Sequence, residues 1–172
     1  MKTATDPNFL FNEIGFYRDD LKYRQSTVAM VIDNENKILI VQKKNYNNDE
    51  WDMPGGGVHT DRGETSEDAL LRELKEELGL TNFKILKKSK EFEQYEWPDD
   101  VIIRKFKEKG RAYRGQQRSQ FFVKFTEDKS KIVYPPDEIK DIKWVSIDNL
   151  EKYMVFPDQW NKTKLLINEF LN

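Results

Sequence analysis

The amino-acid sequence predicts an α/β (α+β) fold, a mixed β-sheet layered with helices, on three observations. Apolar, β-branched runs recur at residues 26–32 (STVAMVI), 37–42 (KILIVQ) and 120–125 (QFFVKF), the composition of buried strands. One segment instead spaces Leu71, Leu74 and Leu78 at steps of three and four, the period of a helix with a single apolar stripe. Strands mixed with few helices, rather than a run of either alone, suit a layered domain.

Each element has its own local cause. Between the first two runs, Asp33, Asn34, Glu35 and Asn36 form a turn cluster, so these runs read as a hairpin. Residues 45–50 (NYNNDE) are a loop, and Trp51-Asp52-Met53-Pro54 leads into Gly55-Gly56-Gly57, where the chain can take a tight, backbone-exposing turn. Thr65 or Ser66 can cap the following helix, with Glu67 and Asp68 in its first turn and Gly79 at its end. Residues 83–95 read as one or two strands, and residues 98–114 are ambiguous. Residues 120–125 and 142–145 are strands, and residues 147–153 and 161–170 carry helical spacing. Trp51 and Trp144 follow strand patterns and are expected in the core.

Bulk properties narrow the functional classes. A chain of 172 residues, 13% aromatic and 35% charged, can bury a core without disulfides and is too aromatic for a disordered segment. One domain over residues 1–172 is expected, with residues 1–24 as a peripheral extension. The absence of cysteine excludes disulfides and thiolate metal sites and is compatible with the reducing cytoplasm, the expected location. The N-terminus lacks the apolar core of a signal peptide, and nowhere do about 18 apolar residues run together, so no membrane partner is expected.

The chemistry gathers on the leucine-spaced helix, on the face opposite its leucines. Glu73, Glu76 and Glu77 lie at i, i+3 and i+4, which brings their carboxylates to one patch. Such a face can be a solvated acidic surface balanced by Arg72 and Lys75. It can also be a set of hard oxygen ligands for Mg²⁺ or Mn²⁺. The surrounding sequence decides between them. Glu64, seven residues, and then Arg72-Glu73-Leu74-Lys75-Glu76-Glu77-Leu78-Gly79-Leu80 is similar to the Nudix box, Gly-x5-Glu-x7-Arg-Glu-U-x-Glu-Glu-x-Gly-U, where U is a bulky aliphatic. The box's first glycine would fall at Val58. Anchoring on Pro54 makes Gly56 its counterpart, with a loop two residues longer lying within residues 59–62.

That resemblance implies a Nudix-like α/β/α sandwich with a mixed sheet and a loop-helix-loop catalytic box. It implies divalent metal, Mg²⁺ or Mn²⁺ and more than one ion, bound by Glu73, Glu76 and Glu77, with help from the Gly56 carbonyl. Glu64 and Arg72 would support the loop and helix. The implied reaction is hydrolysis of a nucleoside diphosphate linked to another group, in which metal ions neutralise the phosphates and activate water. A further carboxylate outside the box serves as base or ligand in such sites. Glu138 is the candidate, since it precedes a strand that can return it to the box; the plainer reading is a surface acid beside Asp137.

A second resemblance is narrower. Tyr23-Arg24, the box, Tyr95-Glu96-Trp97-Pro98, Gly115-Gln116, and Glu138 eight residues ahead of Ser146 in Trp144-Val145-Ser146 are similar, in that order, to the bacterial RNA pyrophosphohydrolases and dinucleoside polyphosphate hydrolases. Gln117-Arg118-Ser119-Gln120 lacks the Trp often found there. By position in that subgroup, Arg24, Lys44 and Phe156 would touch phosphate or base. Arg104, Lys105, Lys107, Lys109, Arg111 and Arg114, interleaved with Phe106 and Tyr113, suit a phosphorylated partner, though a solvated basic segment reads the same. His59, the sole histidine, lies in the lengthened loop, where it is either exposed or a phosphate contact. The substrates implied are an RNA 5′-triphosphate end or a dinucleoside polyphosphate. The alternatives are a smaller nucleotide, such as ADP-ribose or an oxidised nucleoside triphosphate, and a catalytically silent nucleotide-binding module.

Overall fold

A computed structural model of the protein describes residues 9, 14–79 and 81–172. Leu80, the last box position, and residues 1–8 and 10–13 of the expected extension lie outside the described residues. The chain divides into two compact units, Met1–Gln25 with Glu93–Arg118, and Ser26–Phe92 with Ser119–Asn172.

The larger unit is organised by parity along its strands. From Ser26 to Ile32 in β1 (Tyr23–Ile32) and from Ile38 to Gln42 in β2 (Lys37–Lys43) every position is buried, so alternate residues must feed two different cores. Val28, Met30, Ile32, Ile38 and Ile40 join Leu150, Met154, Leu166 and Phe170 in one core. Ala29, Val31, Leu39 and Val41 join Leu70, Leu74 and Leu78 in the other. Helix α1 (Ser66–Leu78) supplies the second set, and α3 (Gln159–Leu171) with the 3₁₀ turn Ile147–Tyr153 supplies the first. The expected α/β/α sandwich is therefore present, with a sheet order β4-β6-β1-β2-β7 and β3 added on β1. Here β3 is Gly55–Gly57, β4 is Phe83–Lys88, β6 is Gly115–Phe125 and β7 is Ile139–Ser146.

The hairpin forms where expected. Asp33 Oδ1 accepts the N–H groups of Glu35 (2.9 Å) and Lys37 (2.8 Å), which gives the turn its partners before the sheet exists. Thr65 caps α1 by accepting the Asp68 N–H at 3.1 Å, and Gly79, left-handed at φ 70°, closes it. Leu71 departs from expectation and is 40% exposed. The stripe that meets the sheet is Leu70, Leu74 and Leu78, because the helix is rotated toward its Ala69/Leu70 edge. Residues 147–153 form 3₁₀ rather than α structure.

The smaller unit contains β5 (Glu93–Glu96), helix α2 (Asp99–Lys109) and the first residues of β6. β5 runs antiparallel to β6, Glu93 opposite Arg118 and Glu96 opposite Gly115. Ile14, Leu21 and Ile102 pack with Trp97, Ile103 and Phe106. The segment left ambiguous by its sequence is thus helical over Asp99–Lys109, with acids Asp99 and Asp100 in its first turn and Lys107 and Lys109 in its last, as the helix dipole favours.

Candidate active site

Three pieces of backbone converge on the acids of α1: the end of β2, the glycine strand β3, and the loop before the helix. β3 lies against β1, with Gly56 opposite Thr27 and Gly55 opposite Val28. Neither glycine takes a Cβ without a neighbour moving. A Cβ on Gly55 would stand 2.1 Å from the Thr27 carbonyl oxygen, and one on Gly56 would stand 2.2 Å from Glu73 Cδ. The missing side chains thus let the backbone close on the sheet on one side and on a carboxylate on the other.

Arg72 holds this arrangement with one guanidinium. Its Nε and Nη2 donate to the two Glu64 oxygens at 2.7 and 3.0 Å, and Nη2 also donates to the Gly57 carbonyl at 2.7 Å. Its Nη1 reaches Glu73 Oε1 at 2.8 Å and Glu76 Oε2 at 3.3 Å. The planar fork suits a bidentate carboxylate in a way an ammonium cannot. Loop, glycine strand and helix acids are tied through this single side chain.

The longer loop is absorbed locally. Thr60–Arg62 forms a 3₁₀ turn closed by left-handed Gly63, and the Glu64 N–H returns to the His59 carbonyl at 3.2 Å. Glu64 Oε2 accepts the His59 N–H at 2.7 Å, so the extra residues form a turn whose base is pinned by the same carboxylate that binds Arg72. The His59 ring remains 43% exposed, with Nδ1 3.9 Å from Glu64.

The Arg72 guanidinium, helped by the His59 N–H, holds the Glu64 carboxyl down to about 2 against the opposing effect of its burial. The stability this contributes is complete above the ordinary value of 4.5 and is lost as pH falls toward about 2. Glu64→Gln is expected to lower unfolding free energy at pH 7 by about 2 kcal/mol, the scale of a charged hydrogen bond. In urea melts the gap between parent and variant should close as pH is lowered from 5 to 2; a gap constant across that range would contradict the assignment.

Glu77 departs from its neighbours. The acids were expected on the face opposite the leucines, but Glu77 is only 3% exposed, on the buried side with Leu74 and Leu78. Its Oε2 accepts the Gly55 N–H at 3.1 Å, and its Oε1 lies 3.1 Å from Lys43 Nζ, which also donates to the Gly55 carbonyl at 2.8 Å. Burial, with the charge of Glu73 adding to it, pushes its carboxyl up to about 7, while Lys43 and the Gly55 amide pull the other way. Lys43 is a site residue that sequence reasoning did not identify. Its one sequence signal is a lysine ending an otherwise apolar strand, a pattern that also describes a solvated strand end.

The remaining candidates divide by unit. The Lys44 N–H donates to the Glu138 carbonyl at 2.8 Å, and Lys43 is opposite Ile139 in the β2–β7 register, after a shift between Gln42 and Lys43. β7 thus brings the backbone of Glu138 to the strand end that carries Lys43, and the Glu138 side chain is exposed. Phe156 packs edge-on against Tyr46, ring centroids 5.2 Å apart, in the turn that follows Lys44. Arg24 belongs to the smaller unit.

The donor chemistry fits a hard divalent cation: carboxylates from adjacent turns, one of them buried and in need of positive charge, beside a glycine backbone. Among the described residues, though, no three acids or histidines are gathered into a ready cluster. Glu73 and Glu76 are drawn to Arg72, and Glu77 to Lys43.

A Nudix fold carrying this box defines a class of phosphoanhydride hydrolases, and the sequence matches the NUDIX domain over residues 22–166. It is 31% identical over 156 residues to the RNA pyrophosphohydrolase of Sphingopyxis alaskensis, spanning 88% of this chain and 95% of that one. It is 36% identical over 153 residues to the RNA pyrophosphohydrolase of a Wolbachia from Brugia malayi, spanning 87% and 90%. The fold is similar to dihydroneopterin triphosphate pyrophosphohydrolase of E. coli, at TM-score 0.64, 18% identity and 86% and 96% coverage. It is also similar to the C. elegans Ap4A hydrolase in a binary complex, at TM-score 0.56, 17% identity and 84% and 99% coverage. The chain belongs to the NUDIX family. It is a pyrophosphohydrolase, and enzymes of this family generally use divalent metal ions. Among the described residues no helix is long and apolar enough to cross a membrane.

Proposed function

We propose that the chain hydrolyses the 5′-triphosphate end of RNA or a dinucleoside polyphosphate, with Mg²⁺ or Mn²⁺ and more than one ion. The observation that carries this reading is the buried Glu77, wedged between Lys43 and the Gly55 amide beside Glu73 and Glu76 on the Arg72 fork. Glu73, Glu76 and Glu77 act as metal ligands, joined by the Gly56 carbonyl and Glu138. When bound, the ions neutralise phosphate oxygens and activate water. The chain's own work is positional. Arg72 keeps Glu73 and Glu76 in register with the glycine strand, Glu64 holds Arg72, and Lys43 offsets the charge of Glu77. Glu138 takes the proton of the attacking water as the new P–O bond forms and the anhydride P–O bond breaks. Arg24, Lys44 and Phe156 bind substrate.

The relatives named RNA pyrophosphohydrolase, matched over most of both chains, support the RNA end as substrate. Chains without cysteine need no oxidising compartment, and we place the enzyme in the cytoplasm. The decisive test follows phosphate and pyrophosphate release from 5′-triphosphate RNA and diadenosine tetraphosphate with Mg²⁺, against ADP-ribose and an oxidised nucleoside triphosphate. Turnover of one of the first pair, abolished by EDTA, is expected. Faster turnover of ADP-ribose or the oxidised nucleotide would move the assignment to a small-nucleotide hydrolase, and metal binding without hydrolysis of any substrate would make the chain a silent binding module.

A further inference from the structure

Helix α2 in the smaller unit carries a charge pattern that the hydrolytic site does not use. Its apolar side is spent on Ile102, which is fully buried with Ile14 and Leu21 and flanked by Ile103 and Phe106. Beyond its first turn the charged residues are Arg104, Lys105, Lys107, Lys109 and then Arg111, against Glu108 alone. Elsewhere in this unit three arginines are matched: Arg18 pairs with Asp99, Arg114 with Glu96 and Arg118 with Glu93. Among the described residues, Arg24, Arg104, Lys105, Lys109 and Arg111 form no ion pair with an acid.

Three of these cations act on Lys105. Lys105 is half-buried with its ammonium 4.8 Å from the centre of the Trp97 ring. Burial lowers its pKa, and the charges of Arg24, Arg104 and Lys109 lower it further. Arg24, at the start of β1, is therefore an electrostatic neighbour of the helix. Glu108 alone opposes them, and like charges so outnumbering their one acid cost stability, a cost that a bound polyanion removes. The exposed positions of α2 include no large apolar side chain, the element that a membrane-surface helix would insert. A chain of phosphates meets the pattern with charge alone.

We propose that Arg24, the α2 residues Arg104, Lys105 and Lys109, and Arg111 just past the end of α2 form a docking surface for the phosphate backbone of single-stranded RNA. This rests on the RNA reading of the hydrolytic site and deepens it. A dinucleoside polyphosphate offers only the phosphates that the hydrolytic site must itself hold, whereas an RNA supplies further phosphates along its strand.

The test uses the full chain in EDTA and a fluorescent single-stranded RNA of about 20 nucleotides with a 5′-hydroxyl, long enough to cover such a surface. Fluorescence anisotropy should show saturable binding that weakens steeply with salt, about 0.7 in log–log slope per phosphate neutralised. Arg104→Gln/Lys109→Gln/Arg111→Gln should raise Kd at least about tenfold and flatten the slope by about 2, the sum expected for three contacts. All three side chains are exposed, so the thermal melt should be unchanged; if the triple variant fails to fold, the single substitutions should each flatten the slope by about 0.7. No RNA binding, an unaltered Kd and slope in the variants, or binding only to phosphatidylserine vesicles would overturn the proposal. Because the probe has no triphosphate, failure to hydrolyse triphosphorylated RNA sinks the reading of the site while leaving this binding result to stand on its own.

Discussion

Glu77→Gln is expected to reduce kcat by about 10²- to 10⁴-fold, the range associated with losing a positioned catalytic carboxylate, while leaving the protein folded. The amide is nearly isosteric, and its oxygen can still accept the Gly55 N–H that Glu77 now accepts at 3.1 Å. Only the negative charge is removed. That charge is buried and opposed by Glu73, so its loss relieves a desolvation cost while stranding Lys43, whose side chain is 30% exposed and can turn toward water. The two effects offset, and a thermal midpoint within a few degrees of the parent is expected. Steady-state hydrolysis of the preferred substrate, measured beside isothermal titration with Mn²⁺, checks both halves. Activity within threefold of the parent would remove Glu77 from the set of metal ligands. Lost activity with unchanged Mn²⁺ affinity would assign it a role in chemistry alone.

The box was legible because its information is local. Glu73, Glu76 and Glu77 share a helix, and spacing along it brings Glu73 and Glu76 to one guanidinium, while Glu77 falls on the buried side. The strands were legible for a related reason: a sheet covered on both faces demands unbroken apolar runs, and residues 28–32 and 38–41 have them. What escaped depends on contacts between segments distant in sequence. Lys43 joins the site because its ammonium bridges Glu77 and the Gly55 carbonyl, pairings that no spacing encodes. Leu71 kept the right period but lost its burial, since a helix period gives a stripe without saying which flank the sheet will cover. In α2 the density of lysine and arginine masked a short apolar stripe of Ile102, Ile103 and Phe106, too narrow to announce a helix against flanking Pro98 and Gly110.

Two adjacent glycines should separate folding from catalysis, because the atoms in their way differ in kind. At Gly55 an added methyl would meet backbone, the Thr27 carbonyl oxygen at 2.1 Å and Val28 Cα at 2.7 Å, where β3 pairs with β1 opposite Val28. Backbone locked in a sheet cannot yield cheaply, so Gly55→Ala is expected to cost about 3 kcal/mol, the upper range for overpacking. At Gly56 the methyl would meet only the far end of Glu73, with Cδ at 2.2 Å and both oxygens at 2.4 Å. A carboxylate on a flexible stem can rotate aside for about 1 kcal/mol, leaving the fold intact. Rotation, however, removes Glu73 from Arg72 Nη1, now 2.8 Å away, and from the register it shares with Glu76. Misplacing a catalytic group by about 1 Å can cost about 10²-fold, and Gly56→Ala is expected to lower kcat by that much at an unchanged melting temperature. Circular dichroism melts and initial rates on both variants distinguish the cases. If Gly56→Ala keeps full activity, the carboxylate of Glu73 has no part in the reaction, and of the three helix acids only Glu76 and Glu77 matter.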